Sequence, residues 1–140
     1  MITGKVKIKV TGWQTVGVEN DTITVETEGT CTQVDEGYEI RYIEIPAEDM
    51  EVENIVVFSK EQARITKKGM IESEMIFIPG EKRMTAYKTP FGVIDMMVQC
   101  DSILVVEEES DPCVMISYSL YSGERIVSYC KTMIEICAAE

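Results

Sequence analysis

The chain has 140 residues, 45% of them hydrophobic and 27% charged, so it reads as one domain over residues 1–140, long enough to bury a core without disulfides or metal. It holds no histidine, which excludes Ser-His and Cys-His nucleophile pairs, His-ligated zinc and imidazole acid/base chemistry. Its 25 Asp+Glu against 13 Lys+Arg give a formal charge of -12 that repels a phosphate backbone, so no nucleic-acid partner is expected.

Period-2 alternation of apolar and polar residues runs along the chain, the pattern of strands with one buried and one wet face. The first seven residues lack an apolar leader core, and no apolar run approaches the roughly 20 residues that span a bilayer. A soluble, cytoplasmic protein with no membrane partner is expected. Val6, Ile8 and Val10 alternate with Lys5, Lys7 and Lys9 and are expected to point inward. Trp13, just beyond them, reads as a core or barrel-plug residue.

Ile23, Val25, Thr27 and Cys31 continue the alternation, and the Asp35-Glu36-Gly37 turn predicts a hairpin with residues 38–45. There the apolar parity switches from Tyr42 to Ile43, which reads as a β-bulge. Residues 46–53 read as an acidic loop. Short strands follow at 55–59, 63–67 and 71–78, punctuated at Lys60-Glu61, Lys68-Gly69 and Pro79-Gly80. Residues 83–89 run through Pro90 into 91–99, and Pro90 with Gly92 marks a sharp corner. In that second strand Ile94, Met96 and Val98 are expected inward and Asp95 outward. Strands at 102–107, 113–121 and 125–136 complete the chain, with an acidic run at Glu107-Glu108-Glu109 and Asp111 and a turn at Ser122-Gly123.

About ten strands with short connections and no amphipathic helix predict an all-β fold, a single closed antiparallel barrel of about eight to ten strands. Closure removes sheet edges and leaves an interior to be filled by side chains or by a ligand. The five cysteines are odd in number and form no C-x-x-C pair, so free thiols in a reducing compartment are expected.

Candidate chemistry concentrates in the middle of the chain. From Lys60 to Lys88 bases outnumber acids, and the Arg64 and Arg83 guanidinium forks suit a carboxylate or phosphate, although surface ion pairs are the plainer role. Tyr87 and Phe91 suit the lip of a pocket, or a packing corner. Met75, Met84, Met96, Met97 and Met115, among nine methionines, suit an adaptable apolar lining or plain core filling. Asp95 is a lone carboxylate without a second group to make it a general base. The Glu107 to Asp111 run lacks the glycine and alternating oxygens of a calcium loop, and no phosphate loop or nucleophile elbow is present. No catalytic residue, metal ligand or cofactor is therefore assigned.

The stretches Ile65-Thr66-Lys67-Lys68-Gly69, Met75-Ile76-Phe77-Ile78-Pro79-Gly80 and Ala86-Tyr87-Lys88-Thr89-Pro90-Phe91-Gly92-Val93-Ile94-Asp95-Met96 resemble the YwiB-like family of small bacterial proteins. The resemblance continues through Ile116-Ser117-Tyr118-Ser119-Leu120 to Met133-Ile134-Glu135-Ile136. It implies a calycin-like, lipocalin-like up-and-down barrel of uncharacterised function, cytosolic and bacterial. Together these readings point to a non-enzymatic barrel that binds a small apolar or amphipathic ligand, anionic if Arg64 or Arg83 takes its head, with Tyr87, Phe91 and Met96 as further contacts. The alternative is a fully packed barrel acting as a protein-protein interaction module, and a homodimer is compatible with either. An enzyme using Tyr87, Arg83 or Asp95 is a weaker third.

Overall fold

Alternating β-branched and polar residues take the chain through ten antiparallel strands. The computed structural model describes residues 4–35, 37–106 and 112–138. The strands are β1 (Gly4–Val16), β2 (Glu19–Val34), β3 (Gly37–Ala47), β4 (Met50–Phe58), β5 (Ala63–Gly69), β6 (Ser73–Phe77), β7 (Lys82–Thr89), β8 (Gly92–Val106), β9 (Cys113–Ser122) and β10 (Arg125–Ala138). They form one sheet ordered β6-β5-β4-β3-β2-β1-β10-β9-β8-β7. Because β1 pairs with β10, this is the chain order wrapped into a ring and cut between β6 and β7.

At that cut the ring is drawn together rather than fully laddered. The Glu72 N–H donates to the Lys88 carbonyl (3.0 Å) and the Lys88 N–H donates to the Glu72 carbonyl (2.9 Å). Beside this bridge the Thr85 hydroxyl donates to the Glu74 carbonyl at 2.8 Å. The result is the expected all-β barrel, nearly closed.

Inward residues fill the end of the barrel that holds the start of β1 and the finish of β10. Val6, Ile8, Ile40, Val56, Phe58, Phe77, Val98, Val114, Ile116, Ile134 and Ile136 are buried there. Each such side chain contributes about 1.5–3 kcal/mol on leaving water, an upper figure set by an extended unfolded chain. Of the six residues expected inward, Val6, Ile8 and Val98 are in this core, and Val10 packs against it. Met96 is half-buried higher up. Ile94 is a correction: it is 53% exposed, because it stands two residues from Gly92 at the open β7–β8 end of the barrel.

Three other expectations change. The register of β3 against β4 is regular from Tyr38 to Glu44 and shifts only between Glu44 and Ala47. The bulge thus lies beside Pro46, which has no N–H for the ladder, rather than at Tyr42-Ile43. Tyr42 and Glu44 keep the inward parity, and Ile43 and Ile45 are simply apolar residues on the outer face. The acidic stretch 46–53 is mostly strand, since the turn occupies only the step from Ala47 to Met50 and the buried Val52 fixes the alternation of Glu51 and Glu53 on β4. Trp13 is outside the core: it is half-buried at the rim, on the parity opposite to Val6, Ile8 and Val10 and across from Lys131. The Glu107 to Asp111 run lies outside the described residues, as does Glu36.

The ladder between β2 and β3 is short. It covers Gly29 to Val34, although β2 runs on from Gly29 back to Glu19 paired with β1. Gly29 sits at the parting point, where a Cβ would run into the Arg41 carbonyl oxygen and come within 2.7 Å of Ile8 Cδ1. Only a residue without a side chain lets β2 cross so close to β3 before leaving it.

Candidate functional site

Three inward positions on neighbouring strands carry polar groups where the alternation calls for apolar ones. Glu44 follows Ile40 and Tyr42 on β3, Asn54 lies between Val52 and Val56 on β4, and Lys67 follows Ala63 and Ile65 on β5. Strand register aligns them: Tyr42 is opposite Asn54, Asn54 is opposite Lys67, and Lys67 is opposite Ser73. A polar row therefore crosses four strands at one height in the barrel.

The row is internally bonded. The Lys67 ammonium donates to Asn54 Oδ1 at 2.7 Å and to Glu44 Oε1 at 3.0 Å, and the Asn54 amide donates to the same Glu44 oxygen at 3.2 Å. Asn54 is fully buried. Burial pushes the Glu44 carboxyl up, but the Lys67 charge and the hydrogen bonds from Lys67 and Asn54 outweigh it and hold the group below the ordinary carboxylate range. The Ser73 hydroxyl, at the end of the row, is buried without a hydrogen-bond partner among the described residues.

Above the core this row borders a cavity of about 360 Å³ whose walls come from all ten strands. Its apolar side is formed by Ile65, Met75, Met96 and Leu120. Tyr118 stands on Phe77 with ring centres 4.9 Å apart and joins the buried floor to the cavity. Burial, then the Glu44 charge, raise the phenols of Tyr42 and Tyr87 above their ordinary value, so both present neutral O–H groups near neutral pH. Neither hydroxyl has a hydrogen-bond partner among the described residues. At the rim the Lys131 ammonium lies 6.0 Å from the centre of the Trp13 ring. The barrel is thus packed at one end and hollow at the other.

The residues expected to bind a ligand divide into three places. Tyr87 and Met96 line the cavity. Phe91 is 94% exposed at the β7–β8 turn, where the Thr89 hydroxyl accepts from the Phe91 N–H (3.1 Å). Arg64 and Arg83 share a different hollow, an outer groove of about 250 Å³ beside Ile76 and Ile78. They do not flank the mouth, because Arg64 has outward parity on β5 and Arg83 lies near the β6–β7 turn, at the packed end. Arg83 is moreover paired with Glu81 at 3.1 Å. Glu44, Asn54, Lys67 and Tyr42 are not among the ligand contacts expected from the sequence, where Tyr42 marks only a switch of parity and Lys67 only a stretch of family resemblance. Their signal is polarity on the inward parity of three successive strands.

Among the described residues no three carboxylate or thiol groups converge as metal ligands. The thiols differ sharply in setting. Burial raises Cys31, and burial together with Asp101 pushes Cys100 up to about 11, whereas Cys137 is exposed. Since the thiolate is the reactive form, alkylation of the native protein should modify Cys137 first and reach Cys31 and Cys100 only on unfolding. Peptide mapping after a short exposure checks this, and early modification of Cys31 would contradict the packed end described above.

A family model described as a domain of unknown function (DUF1934) matches residues 8–134. The crystal structure of the ywiB protein from Bacillus subtilis is similar in fold, with a TM-score of 0.86 at 18% sequence identity, over 98% of this chain and 93% of that one. No curated protein matches the chain.

Proposed function

The chain belongs to the family described as a domain of unknown function (DUF1934), and from that premise we propose that its barrel binds a small amphipathic molecule without transforming it, in the manner of a lipocalin. One observation carries the reading: a cavity of about 360 Å³, within the range of small-molecule sites, that joins an apolar wall to a row of bonded polar groups and two unpartnered phenols. A tail would lie against Met75, Met96 and Leu120. An acceptor-bearing head would take the Tyr42 and Tyr87 hydroxyls, with the Lys67 ammonium behind them. Because Glu44 already balances Lys67, the head need not be anionic. The proposal places the protein in a reducing cytoplasm, supported by its odd number of five cysteines.

Titration with anilinonaphthalene sulfonate, an amphipathic dye whose fluorescence rises in apolar surroundings, tests the site. Wild type should bind saturably, Met96→Trp should lose most of that signal by filling the lumen, and Arg64→Ala with Arg83→Ala should leave it unchanged. Thermal melts check that Met96→Trp still folds, since overpacking commonly costs about 1–3 kcal/mol. Absence of saturable binding to folded wild type, or loss of binding in the double arginine variant only, would defeat the reading.

A second reading, an interaction module, is favoured by the apolar tips at the hollow end. Val18 on the β1–β2 turn and Phe91 on the β7–β8 turn are 96% and 94% exposed, and both turns lie at that end.

A further inference from the structure

We propose that β2 is the interface for a second copy of this chain, which adds its own β2 antiparallel to the free edge between Glu19 and Glu28 and continues the sheet across a two-fold axis. This goes beyond the lumen reading and does not depend on it.

The edge follows from the register. β2 pairs with β3 only from Gly29 onward, and among the described residues its preceding ten residues have a ladder partner on one side alone, β1. A strand edge of that length presents a row of N–H and C=O groups without ladder partners, of which the Thr22 N–H is taken up by Asp21 Oδ1 at 3.1 Å. The facing end of β3 is protected by Pro46, but the free stretch of β2 contains neither Pro nor Lys. Its centre, Thr22-Ile23-Thr24-Val25, is instead an unbroken β-branched run. The inward side chains are left open as well, with Ile23 63% and Val25 37% exposed.

The sequence favours its own copy. Isologous antiparallel pairing has its axis normal to the sheet, so inward odd residues face inward odd residues and even residues face even ones. Centring the axis on Thr24 puts Ile23 opposite Val25 of the other copy, and the symmetry repeats that apolar pair. The same register sets Glu26 opposite Thr22, Glu28 opposite Asn20 and Asp21 opposite Thr27, so no acid faces an acid. A slip by one residue would put inward side chains opposite outward ones and set Asp21 against Glu26 and Glu19 against Glu28, like charges that destabilise a cross-strand pair. Since Asp21 and Ile23 also line the cavity, the added strand would border its side opening. The charge of -12 on each copy opposes association at longer range, so added salt should strengthen the dimer.

Sedimentation velocity of the full chain over a concentration series, at low and moderate salt, reads the mass. Wild type should reach twice the chain mass, more readily at moderate salt, and Val25→Lys, which plants a charge on the inward row of the edge, should raise the dissociation constant roughly tenfold or more while keeping its melting temperature. Residues on the axis face themselves, so Thr24→Cys should form a disulfide-linked dimer under mild oxidant well above the wild-type background, and Thr22→Cys should not. A wild type that stays monomeric throughout overturns the proposal, as does equal cross-linking of the two cysteine variants, or a dimer that Val25→Lys leaves intact.

Discussion

Replacing Lys67 by Met should lower stability by about 2–4 kcal/mol near neutral pH, since it strands the fully buried Asn54 oxygen and leaves the Glu44 carboxylate without its cation. The acid dependence makes the result specific. In wild type the Glu44 pKa is depressed on folding, so its contribution is present above the ordinary carboxylate range and fades as pH falls through the lowered value. In Lys67→Met the opposing charge and the Lys67 hydrogen bond are gone, so burial, the largest influence on the group, is opposed only by the Asn54 hydrogen bond and the pKa rises from its wild-type position. The variant should therefore recover ground against wild type on acidification. Urea midpoints at neutral pH and at the foot of the carboxylate range measure this, and an equal deficit at both would show that Glu44 is not the group left in difficulty. Adding Glu44→Gln to Lys67→Met should return part of the loss, the coupling expected of groups within one network.

Gly29→Ala should cost about 3 kcal/mol, an unusual penalty for one added methyl at a position of unremarkable backbone conformation. The obstacle is backbone: a Cβ there meets the Arg41 carbonyl oxygen, while Ile8 Cδ1 at 2.7 Å blocks the sideways escape. Gly17 in the β1–β2 turn, where a Cβ meets nothing within 4 Å but φ is +60°, should lose far less on the same change. Thermal melts of the two variants decide it. A Gly29→Ala protein as stable as Gly17→Ala would mean that β2 can part from β3 without the close crossing.

The fold was legible because alternation is a local signal repeated ten times, and turn residues such as Ser122-Gly123 and Lys60-Glu61 marked where it restarts. It misled where apolar residues lay on both faces of one strand. Ile43 and Ile45 imitated a change of parity, and only the ladder with β4 shows that Tyr42 and Glu44 never left the inner row. Tyr87 and Met96 were recognisable as cavity residues because aromatic and thioether side chains on a strand suggest a lining. The arginines were not placed, since sequence proximity to Tyr87 says nothing about which end of a barrel a residue occupies. Asn54 and Lys67 needed the pairing of three strands at once, and register between non-adjacent segments is what a single sequence records least.

The way the ring is joined also bears on how the molecule assembles. Among the described residues every ladder except one links strands that are neighbours in sequence, so β1 to β6 and β7 to β10 can each be laid down as successive hairpins with little loop entropy to overcome. The exception, β1 with β10, runs from Val6–Ala138 to Thr15–Tyr129 and must gather the two extremities of the chain. Loop-closure entropy grows only logarithmically with length, yet this join encloses almost the whole polypeptide and gains nothing until both partners are extended. The barrel's most extensive non-local seam is therefore the natural last step in folding, and until it forms Val6, Ile8, Ile134 and Ile136 remain open to water.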